Sequence, residues 1–181
     1  MSWQGDGTSR ADFPNADSIW DGIREAVGVA GGTAVLSVDG SYDERPDVAV
    51  VVFGEQPYAE TAGDIRNVDF TPAAFDHMAV LQRLRDDDIP VVSLFISGRP
   101  LWVKPELDSS DAFVAAWLPG SEGAGIADVL IGNAQGNPRF DFSGKLSYSW
   151  PKSPVQSAVN KRRLRIRSVV CIRLWSDSGI G

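Results

Sequence analysis

Short apolar runs alternate with amphipathic segments along the first 150 residues of the chain. Three runs are rich in β-branched and other apolar residues, as expected of buried strands in a parallel sheet. They are 47–53 (DVAVVVF), 90–96 (PVVSLFI) and 112–118 (AFVAAWL). Two weaker runs, 33–38 and 145–149, predict further short strands.

Apolar residues at helical spacing predict three helices between and around these strands. The first runs from about residue 18 to 29, with Asn15 or Asp17 as its cap. The second begins at Thr71, with Pro72 in its first position. The third follows 119–123 (PGSEG) and runs to about residue 131. This alternation predicts an α/β protein, a three-layer α/β/α sandwich with a mostly parallel central sheet of about five or six strands.

The connection after the first of the three apolar runs is unusually long. It covers residues 54–71, whereas βα connections usually have about 2–6 residues. Ligands of such sheets bind beyond the carboxyl ends of the strands, so this loop is a functional candidate. A loop carboxylic acid that a partner surface desolvates has a raised pKa and can donate a proton. The alternative is that its acids are simply solvated; they are Glu55, Glu60, Asp64 and Asp69.

Composition and charge exclude several classes of function. The chain has 17 basic and 24 acidic residues, a net charge of −7, and six of the basic residues lie in 161–181. The acidic body therefore argues against a nucleic-acid partner, which binds chiefly through Lys and Arg. A single cysteine, Cys171, and a single histidine, His77, exclude a disulfide framework and a multi-histidine metal site. We expect no cofactor and no metal.

Membrane and export signals are also missing from the pattern. No apolar run reaches the roughly 18 residues of a membrane span, and the first residues lack the basic and apolar regions of a signal peptide. The sequence does not indicate a cellular compartment.

Three other features have ordinary structural interpretations. Ser121 is expected to cap a helix, with Glu122 favoured by the helix dipole. His77 is expected inside a helix with no obvious partner, as an exposed or satisfied histidine and not a catalytic one. Three tryptophans are assigned to the core, whereas Trp3 lies in a polar stretch and either stacks on a sugar or packs on the surface; the core tryptophans are Trp20, Trp117 and Trp150.

Four segments together resemble the C-terminal domain of glycoside hydrolase family 3, the β-glucosidases and exo-β-glucan glucohydrolases. In the family's order and spacing they are 54–64 (GEQPYAETAGD), 95–100 (FISGRP), 115–123 (AAWLPGSEG) and 142–150 (FSGKLSYSW). The resemblance implies an α/β/α sandwich, which agrees with the periodicity. The expected organisation is a linker at 1–15, the family domain at 16–160 and an atypical basic tail at 161–181.

The resemblance also implies a retaining hydrolysis of terminal β-D-glucosyl residues. In the family an aspartate on an N-terminal (β/α)8 barrel is the nucleophile, and a glutamate of the second domain is the general acid/base. By position this glutamate is Glu60, with Glu55 as the second choice, and Trp3 is a sugar contact. The implied ligand is a β-glucoside or β-glucan oligosaccharide.

The chain resembles the second domain and lacks the barrel, so the resemblance implies half of an active site. We expect no hydrolysis unless a separate (β/α)8 barrel domain completes it. The alternatives are a stand-alone domain that binds sugar weakly through Trp3, or a truncated product without function. The surface that faces the barrel in the family is expected to be apolar, so two copies of the chain could associate through it as a homodimer.

The basic tail does not resemble the family's ending, which has a G-D-x-x-Y segment and a Y-G-Y-G-L close. Residues 162–181 can be back-translated into codons that, with the reading frame moved by one base, encode G-D-D-Y-E-S-A-L-L-Y-A-Y-G-Y-G-L-T-P-E followed by a stop codon. We interpret the tail as the product of a frameshift near Lys161. The alternatives are a solvated basic run or a nucleic-acid-binding arm.

Overall fold

The computed structural model describes residues 7–72, 75–143, 146 and 148–157. Three strands and four helices follow one another in these residues, together with two short 3-10 turns. In chain order they are a turn at Arg10–Asp12, α1 (Ile19–Val29), β1 (Ala49–Gly54), a turn at Glu60–Gly63, α2 (His77–Asp86), β2 (Val91–Ile96), α3 (Lys104–Asp108), β3 (Ala112–Trp117) and α4 (Ala124–Leu130).

The three strands form a parallel sheet in the order β1-β2-β3. Phe53 of β1 pairs with Phe95 of β2, which pairs with Ala115 of β3. An irregularity between Phe95 and Ile96 then shifts the register, so that Ile96 pairs with Trp117. The prediction that the three apolar runs are adjacent parallel strands is confirmed, and with it the α/β class.

The first strand is less buried than its sequence predicts. Val51 and Phe53 are buried on one face, whereas Val52 on the opposite face is 41% exposed. β1 is an edge strand of the described sheet, and the prediction of burial on both faces is wrong for it. Burial on both faces does occur in the central strand β2, where Ser93, Leu94 and Phe95 are all buried.

Neither of the two weaker runs forms a strand in the described residues. Residues 33–38 are described and lie outside the sheet, with Val35 and Val38 more than four-fifths exposed. An apolar run of this length becomes a strand only where a neighbouring strand accepts its backbone bonds, so this prediction is wrong. The run at 145–149 falls partly outside the described residues, and its described members are not in a strand. Five or six strands are therefore not confirmed.

Two helix starts differ from the sequence prediction. The cap of α1 is Ser18, not Asn15 or Asp17, because Ser18 and Asp21 form a reciprocal capping box. α2 begins at His77, several residues after Pro72, and its cap is Asp76, whose carboxylate accepts the Ala79 N–H at 3.0 Å. The short helix α3 was not predicted.

The described residues divide into two compact units, each with its own packing. One combines residues from 7–38, 57–63 and 118–146, and its main contact is between α1 and α4. A side chain at Gly22 would place its Cβ 2.5 Å from the Ala124 Cα, so the two helices approach closely at this point.

The other unit contains the sheet, α2 and α3, in residues from 39–56, 64–117 and 147–157. α2 packs against β1 and β2. The core of this unit is aromatic. The ring of His77 contacts those of Phe53 and Phe70, and these two rings in turn contact Phe95; Phe113 packs on Phe53 and Phe95. Trp150 is also buried and Trp117 is half-buried, as is Trp20 in the other unit, so the assignment to the core is confirmed for Trp150 alone.

Candidate active site

The carboxyl ends of the parallel strands are the places where an α/β sheet usually binds ligands. β1 ends at Gly54, β2 at Ile96 and β3 at Trp117. The loop after β1 carries Glu55 and Glu60, and the loop after β3 carries Glu122. Glu55 belongs to the sheet unit, and Glu60 and Glu122 belong to the other unit, so the local environment of each carboxylate is described by itself.

Glu55 is held by residues of the turn that follows β2. The Arg99 guanidinium donates to Glu55 Oε1 from Nε at 2.9 Å and from Nη2 at 2.7 Å. The Ser97 hydroxyl donates to Glu55 Oε2 at 2.6 Å. The Glu55 side chain is only 11% exposed and that of Arg99 23%. The carboxylate is therefore an ordered, largely buried partner of two neighbouring side chains.

The backbone beside Glu55 is fixed as well. The Glu55 N–H donates to the Ile96 carbonyl at 2.9 Å, one residue beyond the last pair of the β1–β2 ladder. A side chain at Gly54 would overlap the Ile96 carbonyl. Glycine is thus required at this close approach of two strands.

Glu60 lies in a different local environment. It is exposed, begins the 3-10 turn Glu60–Gly63 and has a φ of 50°, in the left-handed region that non-glycine residues rarely adopt. The ring of Tyr58 packs against the backbone of Gly63, where a Cβ would overlap the ring. The turn is therefore closed by its own residues, and it presents the Glu60 carboxylate outward.

The second half of the long loop is tied to the sheet unit. The Trp102 N–H donates to the Val68 carbonyl at 2.6 Å, and the Val68 N–H donates to the Pro154 carbonyl at 2.8 Å. Asp69 forms an isolated parallel bridge with Trp102. Asp64 and Asp69 are both exposed.

Glu122 is also exposed, but its backbone is fixed on both sides. The Asp17 N–H donates to the Ser121 carbonyl at 2.9 Å, and the Gly123 N–H donates to the Asp17 carbonyl at 3.1 Å. The cap of α4 is Gly123 without a side-chain cap bond, so the predicted capping role of Ser121 is wrong. The Ser121 hydroxyl instead lies 3.3 Å from Glu122 Oε1.

His77 has a partner that the sequence did not indicate. It is the first residue of α2, it is 2% exposed, and its Nε2 lies 2.9 Å from Oε1 of the buried Glu106 on α3. Its ring stacks on Phe53 with centroids 4.5 Å apart. His77 is therefore a satisfied histidine, one of the two states expected from the sequence, and its partner on α3 had no signal in the local sequence.

Trp3 and the tail at 161–181 lie outside the described residues. Within the described residues, no group of three or more histidine, cysteine or acidic side chains is placed to hold a metal ion. None of the helices found there is long and apolar enough to cross a membrane.

Comparison with known proteins assigns this parallel α/β sheet to a family. The glycosyl hydrolase family 3 C-terminal domain matches residues 2–173. The crystal structure of an exo-1,3/1,4-β-glucanase from a Pseudoalteromonas species is 57% identical, with a TM-score of 0.80 over 86% of this chain and 19% of that one. The chain therefore belongs to glycoside hydrolase family 3 through its C-terminal domain.

Two further relatives support this assignment. A lysosomal β-glucosidase of Dictyostelium discoideum is 36% identical over 171 residues, which are 83% of this chain and 19% of that protein. A mutant β-glucosidase of Listeria innocua in complex with laminaribiose is 27% identical, with a TM-score of 0.51 over 65% of this chain and 17% of that one. The chain spans about a fifth of the length of these proteins.

Proposed function

We propose that this chain supplies the acid/base half of a retaining β-glucosidase or exo-β-glucanase site and does not turn over substrate alone. Its substrates are β-glucosides or β-glucan oligosaccharides with a terminal non-reducing glucosyl residue. The observation that carries the proposal is the 57% identity to an exo-1,3/1,4-β-glucanase over 86% of the chain.

The chemistry of retention explains why one domain is not sufficient. One carboxylate attacks the anomeric carbon, while a second carboxylic acid protonates the departing oxygen and then takes a proton from the attacking water. The two carboxyl groups are about 5–5.5 Å apart. By the family resemblance, the nucleophile belongs to a (β/α)8 barrel, and the match of this chain is to the C-terminal domain.

Glu60 is the proposed proton donor. It is exposed and, among the described residues, no side chain occupies its carboxylate, so a barrel surface and a glycosidic oxygen have access to it. Glu55 is the second choice, because its two oxygens already accept bonds from Arg99 and Ser97. Trp3 is the proposed sugar contact.

The purified chain is the first test. We expect no release of 4-nitrophenol from its β-glucoside above the buffer rate, since a positioned acid alone contributes about 10²–10⁴-fold even in a complete site. Turnover that persists through repurification and disappears in Glu60→Gln would contradict the proposed need for a barrel. Calorimetric titration with laminaribiose, for the parent and for Trp3→Ala, tests the alternative of a stand-alone sugar-binding domain.

A chimera tests the assignment of the acid/base. This chain replaces the matching domain of the Pseudoalteromonas enzyme, and Glu60→Ala is compared with Glu122→Ala, a second exposed glutamate at the end of a strand loop. An acid/base variant loses about 10²–10⁴-fold in kcat/KM on glucosides with poor leaving groups. It retains much of its rate on 2,4-dinitrophenyl β-glucoside, whose leaving group needs no proton, and azide rescues it by forming β-glucosyl azide.

We expect this signature for Glu60→Ala and near-parental kinetics for Glu122→Ala. The reverse result would refute the role of Glu60 and move the acid/base to the loop after β3. An inactive parental chimera that is folded by circular dichroism would count against the proposed function itself.

A further inference from the structure

We propose that Glu55, Arg99 and Ser97 form a clamp that positions the loop leaving β1, and that Glu55 is a positioning residue and not a proton donor. The kinetic part of the argument rests on the proposed function. The structural part rests on contacts within the sheet unit and does not depend on any activity.

The clamp joins the two loops that follow neighbouring strands. Glu55 is the first residue after β1, and Ser97 is the first residue after β2. The Arg99 guanidinium meets Glu55 Oε1 through two nitrogens, at 2.7 and 2.9 Å, and the Ser97 hydroxyl meets Oε2 at 2.6 Å. The turn is also closed on itself, because the Arg99 N–H donates to Ser97 Oγ at 3.1 Å.

The geometry is unsuitable for general acid catalysis by Glu55. A general acid must present a protonated oxygen to the leaving group within hydrogen-bond reach. Both oxygens of Glu55 are already engaged, Oε1 by the Arg99 guanidinium and Oε2 by the Ser97 hydroxyl, which also lies 2.7 Å from the Arg99 carbonyl. Neither oxygen is therefore free to meet a leaving group.

The geometry is well suited to positioning. Two consecutive residues tie the end of β1 to β2: Gly54 through its close approach to the Ile96 carbonyl, and Glu55 through its N–H and its side chain. The turn that carries Glu60 begins five residues further along the chain. A small displacement of a catalytic group, of about 1 Å, is enough to cost roughly 10²-fold in rate.

Hydrogen exchange on the full chain tests the clamp directly. Glu55→Gln keeps the size of the side chain and removes its charge, and Asp108→Asn does the same for the exposed Lys104–Asp108 ion pair. We expect Glu55→Gln to increase exchange at the Glu55 and Arg99 amides, which donate to the Ile96 carbonyl and to Ser97 Oγ, at least about tenfold, with no such change for Asp108→Asn. Unchanged exchange at Glu55 and Arg99, or an equal increase throughout the sheet unit, would overturn the clamp.

The chimera separates positioning from proton donation. We expect Glu55→Gln and Arg99→Gln to lower kcat/KM by similar factors, up to about 10²-fold, and equally for 2,4-dinitrophenyl and poor-leaving-group glucosides, without azide rescue. Arg99→Lys keeps the positive charge, so its kcat/KM should lie between those of Arg99→Gln and the parental chimera. A loss confined to poor leaving groups together with azide rescue would make Glu55 the acid and refute the proposal.

The two proposals fail in different ways. If neither Glu60 nor Glu122 shows the acid/base signature, the proposed function fails while the exchange result for Glu55→Gln still stands. If Glu60 shows the signature and the exchange at Glu55 and Arg99 does not respond to Glu55→Gln, the clamp alone fails.

Discussion

Replacing His77 by phenylalanine should destabilise the sheet unit strongly, although the ring stays aromatic. His77 and Glu106 have side chains only 2% and 6% exposed, and their Nε2 and Oε1 atoms are 2.9 Å apart. His77→Phe preserves stacking on Phe53 but leaves the Glu106 carboxylate buried without its partner. A buried polar group that loses its hydrogen-bond partner costs about 1–3 kcal/mol. At roughly 2–4 °C per kcal/mol for a chain of this size, the Tm falls by about 2–12 °C.

The same pair yields a double-mutant cycle. Glu106→Met leaves an imidazole nitrogen unpaired and should cost about 1–3 kcal/mol. His77→Phe combined with Glu106→Met removes both polar groups, and well-packed apolar replacements of a buried pair are often neutral. We therefore expect the double variant to be more stable than His77→Phe alone. Urea unfolding followed by tryptophan fluorescence measures all four proteins.

The result that would refute this reasoning is additivity. If the losses in free energy of unfolding of the two single variants simply sum in the double variant, then His77 and Glu106 are not energetically coupled, and the unpaired buried group is not the cause of the loss. A cost below about 1 kcal/mol for His77→Phe would lead to the same conclusion. His77 Nδ1 and Glu106 Oε2 are buried and have no hydrogen-bond partner among the described residues, which makes a large coupling the expected outcome.

Three further predictions concern other parts of the chain. Ser18→Ala should lower the Tm by about 2–4 °C through loss of the α1 cap. The Ser18 hydroxyl and N–H also donate to the Asp21 carboxylate and lower its pKa below 3.8, so the stabilisation from these bonds is present at neutral pH and is lost as the pH falls below about 4. Gly54→Ala should cost about 1–3 kcal/mol in urea unfolding because its Cβ meets the Ile96 carbonyl, whereas Gly28→Ala, with open space around it, should not destabilise α1. Sequencing the coding DNA should show a G-D-x-Y…Y-G-Y-G-L ending one frame over after codon 161; any other reading refutes the frameshift.

The class of fold followed from strands that are apolar over their whole length. β2 and β3 lie almost where the pattern placed them, because a buried central strand leaves a continuous apolar run. The run at 33–38 carries the same signal and is not a strand, since pairing depends on a neighbour that local sequence does not reveal. α2 began late for a similar reason: its start is set by the Asp76 cap and the burial of His77, which a local helix signal at Pro72 does not reveal.

The candidate site was only partly accessible from sequence. The long loop after β1 was singled out by its length and its acids, and the structure places Glu55 and Glu60 in that loop. What sequence could not provide is the difference between them. The pairing of Glu55 with Arg99 spans 44 positions and arises because β1 and β2 are adjacent. The segment FISGRP contains both Ser97 and Arg99, and it reaches Glu55 because β1 and β2 are neighbours in the sheet.

The close packing of α1 against α4 has a consequence for the order of folding. Gly22 and Ala124 are about a hundred positions apart, so closing the chain between them carries a large entropic cost that grows with the logarithm of the separation. α1 has 11 residues, too few to be stable as an isolated helix in water. During synthesis α1 leaves the ribosome before α4 and has no α4 to pack against until residues 124–130 have followed. The apolar face of α1 therefore stays unprotected while the residues between the two helices are made, and this unit is completed only when α4 emerges.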